Sequence, residues 1–492
     1  MRNRVGIFYF RSLYSQSACS LSVGKFSDYL LQRGYKTNIF LLKNNDVNFF
    51  IKEKKLIDNL DIIIYKTNYK DFEYGIRLFK NLLIKQRKKF YLIGPFACIN
   101  CQRIKEKYDF IDEIINIENE QVIHDCFPQT GEKVTKNTIV CGVDREVEYQ
   151  EKGRYINLEA STGCIYNCAF CHIKLLNYSK NEKDLNILMD EIDYLINVMG
   201  KRYFIFNDSI FWKNNSDNDR IKSFIKMVKE RNLKFYFMIY LSLSIKISDD
   251  LLKELQEIGL IRVFFGVENI SSSFSKNNNK YISAIDTENF IKLLKSINVS
   301  YHIGFILFNP FSTYDEIKEN IDFLFKIKKL FRIGVIVEKM RILPTSKDAS
   351  ILQYDDSKID QAYNYYIKDD MVEKYYKLLN QLFLNINIRN FEQFISGINI
   401  AITILKNENK LDKYKEVVEN YKNTLNRLNE RIYSILMAVY EQLKYSDSEI
   451  SELKDLYSEA EVNYINFMKA LSTHDREIYE MIPHGQEELN IW

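Results

Sequence analysis

At 492 residues, with 46% apolar and 14% aromatic side chains, the chain is too long for one ordinary core and too apolar for a disordered tail. Lys plus Arg number 69 against 66 Asp plus Glu, a net charge of +3 that excludes a general nucleic-acid or membrane-surface binder and leaves room only for a local patch. Eight cysteines, no apolar stretch near the roughly 18 residues of a membrane span, and an opening run (VGIFYF, before Arg11) too short for a signal peptide predict reduced thiols in a cytoplasmic enzyme.

Residues 1–125 alternate short apolar runs with amphipathic stretches, the pattern of parallel α/β units. Strands are predicted at 5–10, 37–42, 61–65, 90–94 and 113–117, with helical periodicity over 22–33, 71–85 and 99–107. The expectation is a five-stranded doubly wound, Rossmann-like sheet whose ligands sit beyond the strand C-termini. Residues 126–150 are polar, contain the turn signal Pro128-Gln129-Thr130-Gly131, and read as a connector.

A second α/β series occupies 151–350, with strands at 155–161, 203–208, 235–241, 261–268, 301–308 and 332–340. Helix-length amphipathic stretches such as 183–199 and 313–328 fill the gaps. Six strand–helix repeats predict a partial (β/α)6 barrel of TIM type, open where a full one would close. Beyond it, 365–492 reads as a helical C-terminal region. Its long amphipathic helix over 410–445 carries Lys/Glu pairs that form a solvated face.

Directly after the first barrel strand stands STGCIYNCAFCHI (161–173), with Cys164, Cys168 and Cys171 spaced C-x3-C-x2-C and no later cysteine. Thiolates are soft ligands that select zinc or iron–sulfur clusters. Structural zinc takes four closed ligands, usually as two pairs. No second pair follows here, and His172 adjoins Cys171 with no loop to swing it round a metal. A [4Fe–4S] cluster on three cysteines leaves one iron unligated by protein. The amino and carboxylate groups of S-adenosylmethionine can chelate that iron, and electron transfer into the sulfonium then yields a 5′-deoxyadenosyl radical. Chance cysteines, or zinc with His172, are the competing readings.

With Phe170 before the third cysteine and the loop placed after barrel strand 1, the region 155–350 resembles the radical SAM superfamily. Asn207-Asp208-Ser209 ends strand 2, where the family carries a motif for the SAM amino group. GVEN (266–269) ends strand 4 and looks like the family's G-x-E-S. GFILFNPFSTYDEI (304–317) is similar to G-x-x-x-G-x-P-G-E-T, with Asn309 and Phe311 at inner glycines, and RILPTS (341–346) is similar to the P-G-T after strand 6. The resemblance implies S-adenosylmethionine near Phe170, Asp208, Glu268 and Asn309, and a low-potential electron donor such as a flavodoxin or ferredoxin. Singly, each of these residues also reads as an ordinary strand-end polar group or turn.

A doubly wound domain ahead of such a core is similar to the cobalamin-binding (B12-binding) subclass. GPFACINCQRIKEKYDFIDEIINIENE (94–120) resembles that subclass's G-G/P-H-A-T … D-x-V-V-x-G-E-x-E run. Gly94, Pro95, Ala97, Asp112, Glu118 and Glu120 are kept, while Phe96 stands for the histidine and Ile117 and Asn119 for glycines. The resemblance implies a corrinoid near Gly94, Pro95, Phe96 and Glu118. The histidines at 124, 172, 302, 474 and 484 lie outside any D-x-H-x-x-G context, so cobalt would lack a histidine ligand. Cys98, Cys101, Cys126 and Cys141 could seed a second metal site, and buried thiols are the simpler reading.

The leading expectation is a cobalamin-dependent C-methyltransferase acting on an unactivated carbon of a natural product or peptide. The alternative is a radical enzyme of the same architecture that rearranges, cyclises or oxidises without methyl transfer. A methylthiotransferase fits less well, because that class ends in an RNA-binding β-barrel where this chain reads helical. A non-enzymatic iron–sulfur protein would not need six barrel strands with polar C-terminal ends.

Overall fold

In the computed structural model, residues 3–10, 20–42, 52–68, 71–83, 88–117, 119–150, 155–171, 173, 181–213, 217–244, 247–343, 346–352, 359, 365–384, 391–444 and 446–481 are described. They group into two compact units. The first comprises 1–166, 170–209 and 341–364, and the second 167–169, 210–340 and 365–492.

The first unit opens with the doubly wound domain. β1 (Arg4–Phe10), β2 (Lys36–Leu42), β3 (Ile62–Lys66), β4 (Lys89–Ile93) and β5 (Glu113–Ile115) form one parallel sheet in the order β2-β1-β3-β4-β5. Alternate residues along each strand feed separate cores. Ile7, Ile39, Ile64 and Tyr91 meet Val23, Phe26 and Leu30 of α1 (Leu21–Gln32) on one face. Phe8, Phe40, Ile63 and Phe90 meet Phe72, Ile76 and Phe79 of α2 (Phe72–Leu83) on the other. Burial on both faces explains why these strands read as unbroken apolar runs. Besides a one-turn helix over Lys54–Asp58, the short helices α3 (Pro95–Ile99), α4 (Cys101–Lys107) and α5 (Glu120–Cys126) complete the domain. In this strand order the connections reverse between β1 and β3, which puts the ligand crevice at the C-terminal ends of those strands.

Residues 126–150 are more than a polar link. They form the hairpin β6 (Ile139–Val140) and β7 (Val143–Asp144) and the helix α6 (Glu146–Gln150). Asp144 accepts a hydrogen bond from Ser27 of α1 at 2.7 Å, and Glu146 accepts one from the Ile39 N–H of β2 at 2.8 Å. Gly24 makes this approach possible, since a Cβ there would lie 2.7 Å from the Asp144 carbonyl oxygen.

The barrel's first strand, β8 (Ile156–Leu158), leads into the small hairpin β9 (Ser161–Thr162) and β10 (Asn181–Glu182). α7 (Leu185–Asn197) follows, capped by the Asp184 carboxylate, and then β11 (Tyr203–Phe206), which pairs in parallel with β8. Arg145 ties the connector to this part. Its fully buried guanidinium donates to Glu148 at 2.6 Å, to Glu191 of α7 at 2.6 Å and to the Asn157 carbonyl of β8 at 3.1 Å. Lys183 closes the network on the second oxygen of Glu191 at 2.5 Å.

In the second unit, α8 (Asn218–Glu230), β12 (Tyr236–Leu241), α9 (Asp249–Glu257), β13 (Leu260–Glu268), α10 (Ser272–Asn278), α11 (Ala284–Ser296), β14 (Ser300–Phe305) and α12 (Tyr314–Lys326) continue the alternation. β12, β13 and β14 are mutually parallel. On β13, Val263, Phe265 and Val267 are fully buried, and Phe265 meets Phe290 of α11; Arg262, Phe264, Gly266 and Glu268 lie on the other face.

The sixth predicted strand, 332–340, is not one. Its centre is the one-turn helix α13 (Ile333–Val337), and only a single parallel bridge, Phe308 to Lys339, survives of the expected pairing. The apolar run is buried against α14 (Asp370–Leu384) instead, where Asn380 donates to the Val337 carbonyl at 3.5 Å. Tertiary packing has overridden β propensity.

The C-terminal region is helical as expected: α14, α15 (Phe391–Asn407), α16 (Lys415–Gln442) and α17 (Asp447–His474). It is docked, not appended. Phe325 of α12 stacks on Tyr433 of α16 at 4.1 Å, and Asn429 binds the Phe325 carbonyl and the Leu330 N–H. α15 packs on β13 and β14 and reaches their N-terminal ends, where Arg262 donates to Ser396; just past the helix, Glu408 accepts from Tyr236 at the start of β12. No described helix is long and apolar enough to cross a membrane.

Candidate active site

In the first unit, the backbone entering the cysteine loop is fixed by one buried carboxylate. Asp208, just past β11, accepts the Ala160 N–H on Oδ2 at 2.9 Å and the Ser161 hydroxyl on Oδ1 at 2.7 Å. It is 1% exposed, and burial pushes its pKa up to about 6 against the pull of those hydrogen bonds. The Ala160 carbonyl in turn accepts from the Lys183 N–H at 2.9 Å, closing the hairpin around the loop. Gly163 then turns with φ +69°, a left-handed step that glycine takes without strain, and Cys164 follows. Cys164, Phe170 and Cys171 are half-buried; His172 lies outside the described residues. Asp208 was expected near S-adenosylmethionine. Both its oxygens are engaged in holding the loop's first strand.

In the second unit, Cys168 is buried, and its neighbour Ala169 donates its N–H to the Asn278 carbonyl at the end of α10, at 3.1 Å. Shortly after comes Lys280, whose ammonium pairs with Glu268 at 3.9 Å. The structure thereby brings the middle of the cysteine loop to the segment that holds Glu268.

Glu268 ends β13 with φ +65°, at a register shift against β14. A non-glycine residue in this conformation persists only where its surroundings over-determine it. They do so here: the Glu268 carbonyl accepts the Ile306 N–H at 2.5 Å, and Asn269 donates to the Ile306 carbonyl at 3.0 Å while accepting from Asn320 at 3.1 Å. The carboxylate folds back over two glycines. A Cβ on Gly266 would lie 2.0 Å from Oε1, and one on Gly304 would lie 3.4 Å from Oε2. Burial raises the Glu268 pKa and Lys280 opposes the rise. Gly266 and Gly304 were visible in the sequence as motif glycines, but their role as the seat of Glu268 depends on the register between two strands.

Asn309 is buried after β14 and turned into its own loop. Its side chain donates to the Ser312 hydroxyl at 2.6 Å and accepts from the Phe311 N–H at 3.0 Å. Thr313 caps α12 in a reciprocal pair with Glu316. Pro344 and Thr345, from the expected P-G-T segment, lie outside the described residues.

In the doubly wound domain, Gly94 adopts φ +104°, and a Cβ there would approach the Thr67 carbonyl to 3.1 Å. Pro95 opens α3, and the Phe96 ring packs at 5.1 Å, tilted by 49°, against Phe72 of the domain core. Asn119 caps α5 by accepting the Val122 N–H, and Ile117 packs into the opposite core. The residues standing for histidine and glycines thus serve the fold. Glu118 lies outside the described residues. The structure adds Lys66 at the end of β3, which donates to Ser20 at 2.6 Å beside the crevice.

Burial raises the pKa of Cys98 to about 11 and also raises those of Cys101, Cys126 and Cys141. Among the described residues, no group of three or more His, Cys, Asp or Glu side chains is gathered as the ligands of one metal ion. A [4Fe–4S] cube is not one ion: its three thiolates bind three different irons. The donor chemistry of Cys164, Cys168 and Cys171, thiols alone with no later cysteine, fits that group.

Residues 158–324 match the model of the radical SAM superfamily. The chain therefore carries a radical SAM domain, and that family implies a [4Fe–4S] cluster and S-adenosylmethionine. In fold, the chain is similar to the cobalamin-dependent S-adenosylmethionine radical enzyme OxsB with aqua-cobalamin bound, at TM-score 0.67 and 15% identity over 97% of this chain and 80% of that one. It is also similar to the radical S-adenosylmethionine methyltransferase TsrM from Kitasatospora setae with cobalamin and a [4Fe–4S] cluster bound, at TM-score 0.56 and 12% identity, covering 71% and 78%. No curated protein matches by sequence.

Proposed function

We propose that this radical SAM enzyme is cobalamin-dependent and methylates an unactivated carbon of a small molecule or peptide. The observation that carries the reading is a three-cysteine loop after β8 behind a doubly wound domain of order β2-β1-β3-β4-β5. The likeness to OxsB across 97% of the chain supports cobalamin dependence, and the likeness to the methyltransferase TsrM over 71% supports methyl transfer. When bound, the cluster with S-adenosylmethionine supplies a 5′-deoxyadenosyl radical, and a corrinoid supplies a methyl carrier.

The chain's own residues bind and position. Cys164, Cys168 and Cys171 hold the cluster, and Asp208 fixes the strand that delivers the first of them. Phe170, Glu268 and Asn309 are the residues assigned to S-adenosylmethionine. Glu268 is held at the end of β13 over Gly266 and Gly304. Gly94 and Pro95, at the C-terminal end of β4, are assigned to the corrinoid, and by sequence so is Glu118. Phe96, packed on Phe72, is assigned to it as well. None of the five histidines stands in a D-x-H-x-x-G context, so the front-domain residues named above would hold the corrinoid without one.

Equilibrium dialysis with hydroxocobalamin under reducing, anaerobic conditions tests the reading. Retention of about one corrinoid per chain, with methylated product from a substrate of the genomic neighbourhood, is the expected result. If S-adenosylmethionine is cleaved while no corrinoid is retained, the methyltransferase reading falls. The same architecture without methyl transfer then takes its place. That second reading draws support from the fuller likeness being to OxsB, described as a radical enzyme, and the narrower one to a methyltransferase.

A further inference from the structure

The chain leaves Glu268 at the end of β13, passes through α10 and turns back on itself. Ser271 caps α10 by accepting the Phe274 N–H, and Asn279 ends it with φ +53°, a left-handed turn that asparagine tolerates. The Lys280 N–H then bonds the Ser275 carbonyl at 3.2 Å. This return lays the Lys280 side chain across Gly266, where an added Cβ would lie 3.4 Å from Nζ.

Nζ of Lys280 and Oε1 of Glu268 stand 3.9 Å apart, beyond hydrogen-bond distance, with 11% and 16% of the two side chains exposed. Among the described residues, neither side chain has another hydrogen bond or ion pair. Charge alone couples them. Both oxygens of Glu268 thus keep their capacity to accept from a ligand.

Burial favours the neutral acid of Glu268, and Lys280 is the charged group that opposes it. On the same face of the sheet, Tyr240 and His302 stand level with Phe264, and Arg262 lies further toward the strand start. Lys276 of α10 is exposed. None of these four acts on the Glu268 carboxyl. Without Lys280, burial would act unopposed and the carboxyl would keep its proton to higher pH.

We propose that Lys280 is a positioning residue of the site: it keeps Glu268 ionised over Gly266 and Gly304, so that S-adenosylmethionine meets a carboxylate and not a carboxylic acid. The inference rests on the assignment of Glu268 to S-adenosylmethionine. The ribose of that ligand offers two hydroxyl donors. A carboxylate accepts from both in charge-assisted bonds, whereas the acid spends one oxygen as a donor.

The test is equilibrium dialysis of S-adenosylmethionine with the full-length, cluster-reconstituted protein from about pH 6 to about pH 9. Wild type, Lys280→Met, Lys280→Arg and Glu268→Gln are compared. Glu268→Gln has no carboxyl to titrate there, so the ratio of each affinity to its own removes the titration of the ligand. Near neutral pH, Lys280→Met should bind about tenfold more weakly than wild type, the difference between a charged and a neutral hydrogen bond. Its affinity should recover as pH rises, with a midpoint above that of wild type, and Lys280→Arg should follow wild type. A merely structural role would lower affinity equally at every pH. Should Lys280→Met fail to fold, Lys280→Gln reads the same profile. Wild-type affinity in the Lys280 variants, or a loss independent of pH, overturns the inference while Glu268→Gln stays weak. Wild-type affinity in Glu268→Gln would overturn the assignment of Glu268 itself, and the inference with it.

Discussion

A carboxylate in full burial is tolerated only where its oxygens are occupied, and Asp208 has both occupied at the threshold of the cysteine loop. Asp208→Ala removes two acceptors and should cost about 1–3 kcal/mol in chemical denaturation. Iron retained after anaerobic reconstitution should fall with it. Asp208→Asn keeps an acceptor for the Ala160 N–H and should retain most of both. The folded pKa of about 6 lies above the ordinary 3.8. The group's contribution is therefore fully present below about 3.8 and is lost as pH rises through 6. Melting temperature measured from pH 4 to 6 should fall less steeply with pH in Asp208→Asn than in wild type. The sequence marked Asp208 as a strand-end residue of the site. That it braces the loop could not be read there, because its partners belong to a distant strand.

Glu268 and its glycines make the same point. Gly266→Ala forces a Cβ into the carboxylate at 2.0 Å, so Glu268 must leave its seat. Affinity for S-adenosylmethionine, measured by equilibrium dialysis on reconstituted protein, should fall about tenfold, the value of one lost polar contact. Far-UV circular dichroism should stay unchanged. Gly304→Ala, at 3.4 Å, should have a smaller effect. Unchanged affinity in Gly266→Ala would remove Glu268 from the site.

Among the elements, those with a strong period were legible. The five front strands, β8, β11 to β14, and the long helix α16 fall close to where apolar alternation and helical spacing put them. Two segments were not. The run 332–340 is rich in β-branched residues, but its partner is a helix from the C-terminal region, and local sequence carries no trace of that. Residues 126–150 read as a polar connector, yet Arg145 is buried against Glu148 and Glu191. Truncating one member of a buried ion network leaves the others uncompensated. Arg145→Ala should therefore destabilise the full chain by about 3–5 kcal/mol in denaturant unfolding. Arg145→Met combined with Glu148→Gln and Glu191→Gln should recover much of the loss. Wild-type stability in Arg145→Ala would show that the network contributes nothing.

On the scale of the whole molecule, the order of parts follows the chain: a doubly wound domain, a connector that carries its own ion network, the radical SAM strands, and helices docked on α12 to α15. α15 sits at the N-terminal ends of β13 and β14, while Glu268 and the Asn309 turn lie at the C-terminal ends. Under the proposed function that division leaves the C-terminal ends to the cofactors, where parallel barrels carry their active sites. The account stands or falls on the three cysteines. Wild-type protein and Cys168→Ala, reconstituted anaerobically with iron and sulfide and reduced with dithionite, should be compared for 5′-deoxyadenosine formed from S-adenosylmethionine. Formation by wild type and none by Cys168→Ala is the predicted result. Equal amounts from both would contradict the assignment of the cluster to this loop.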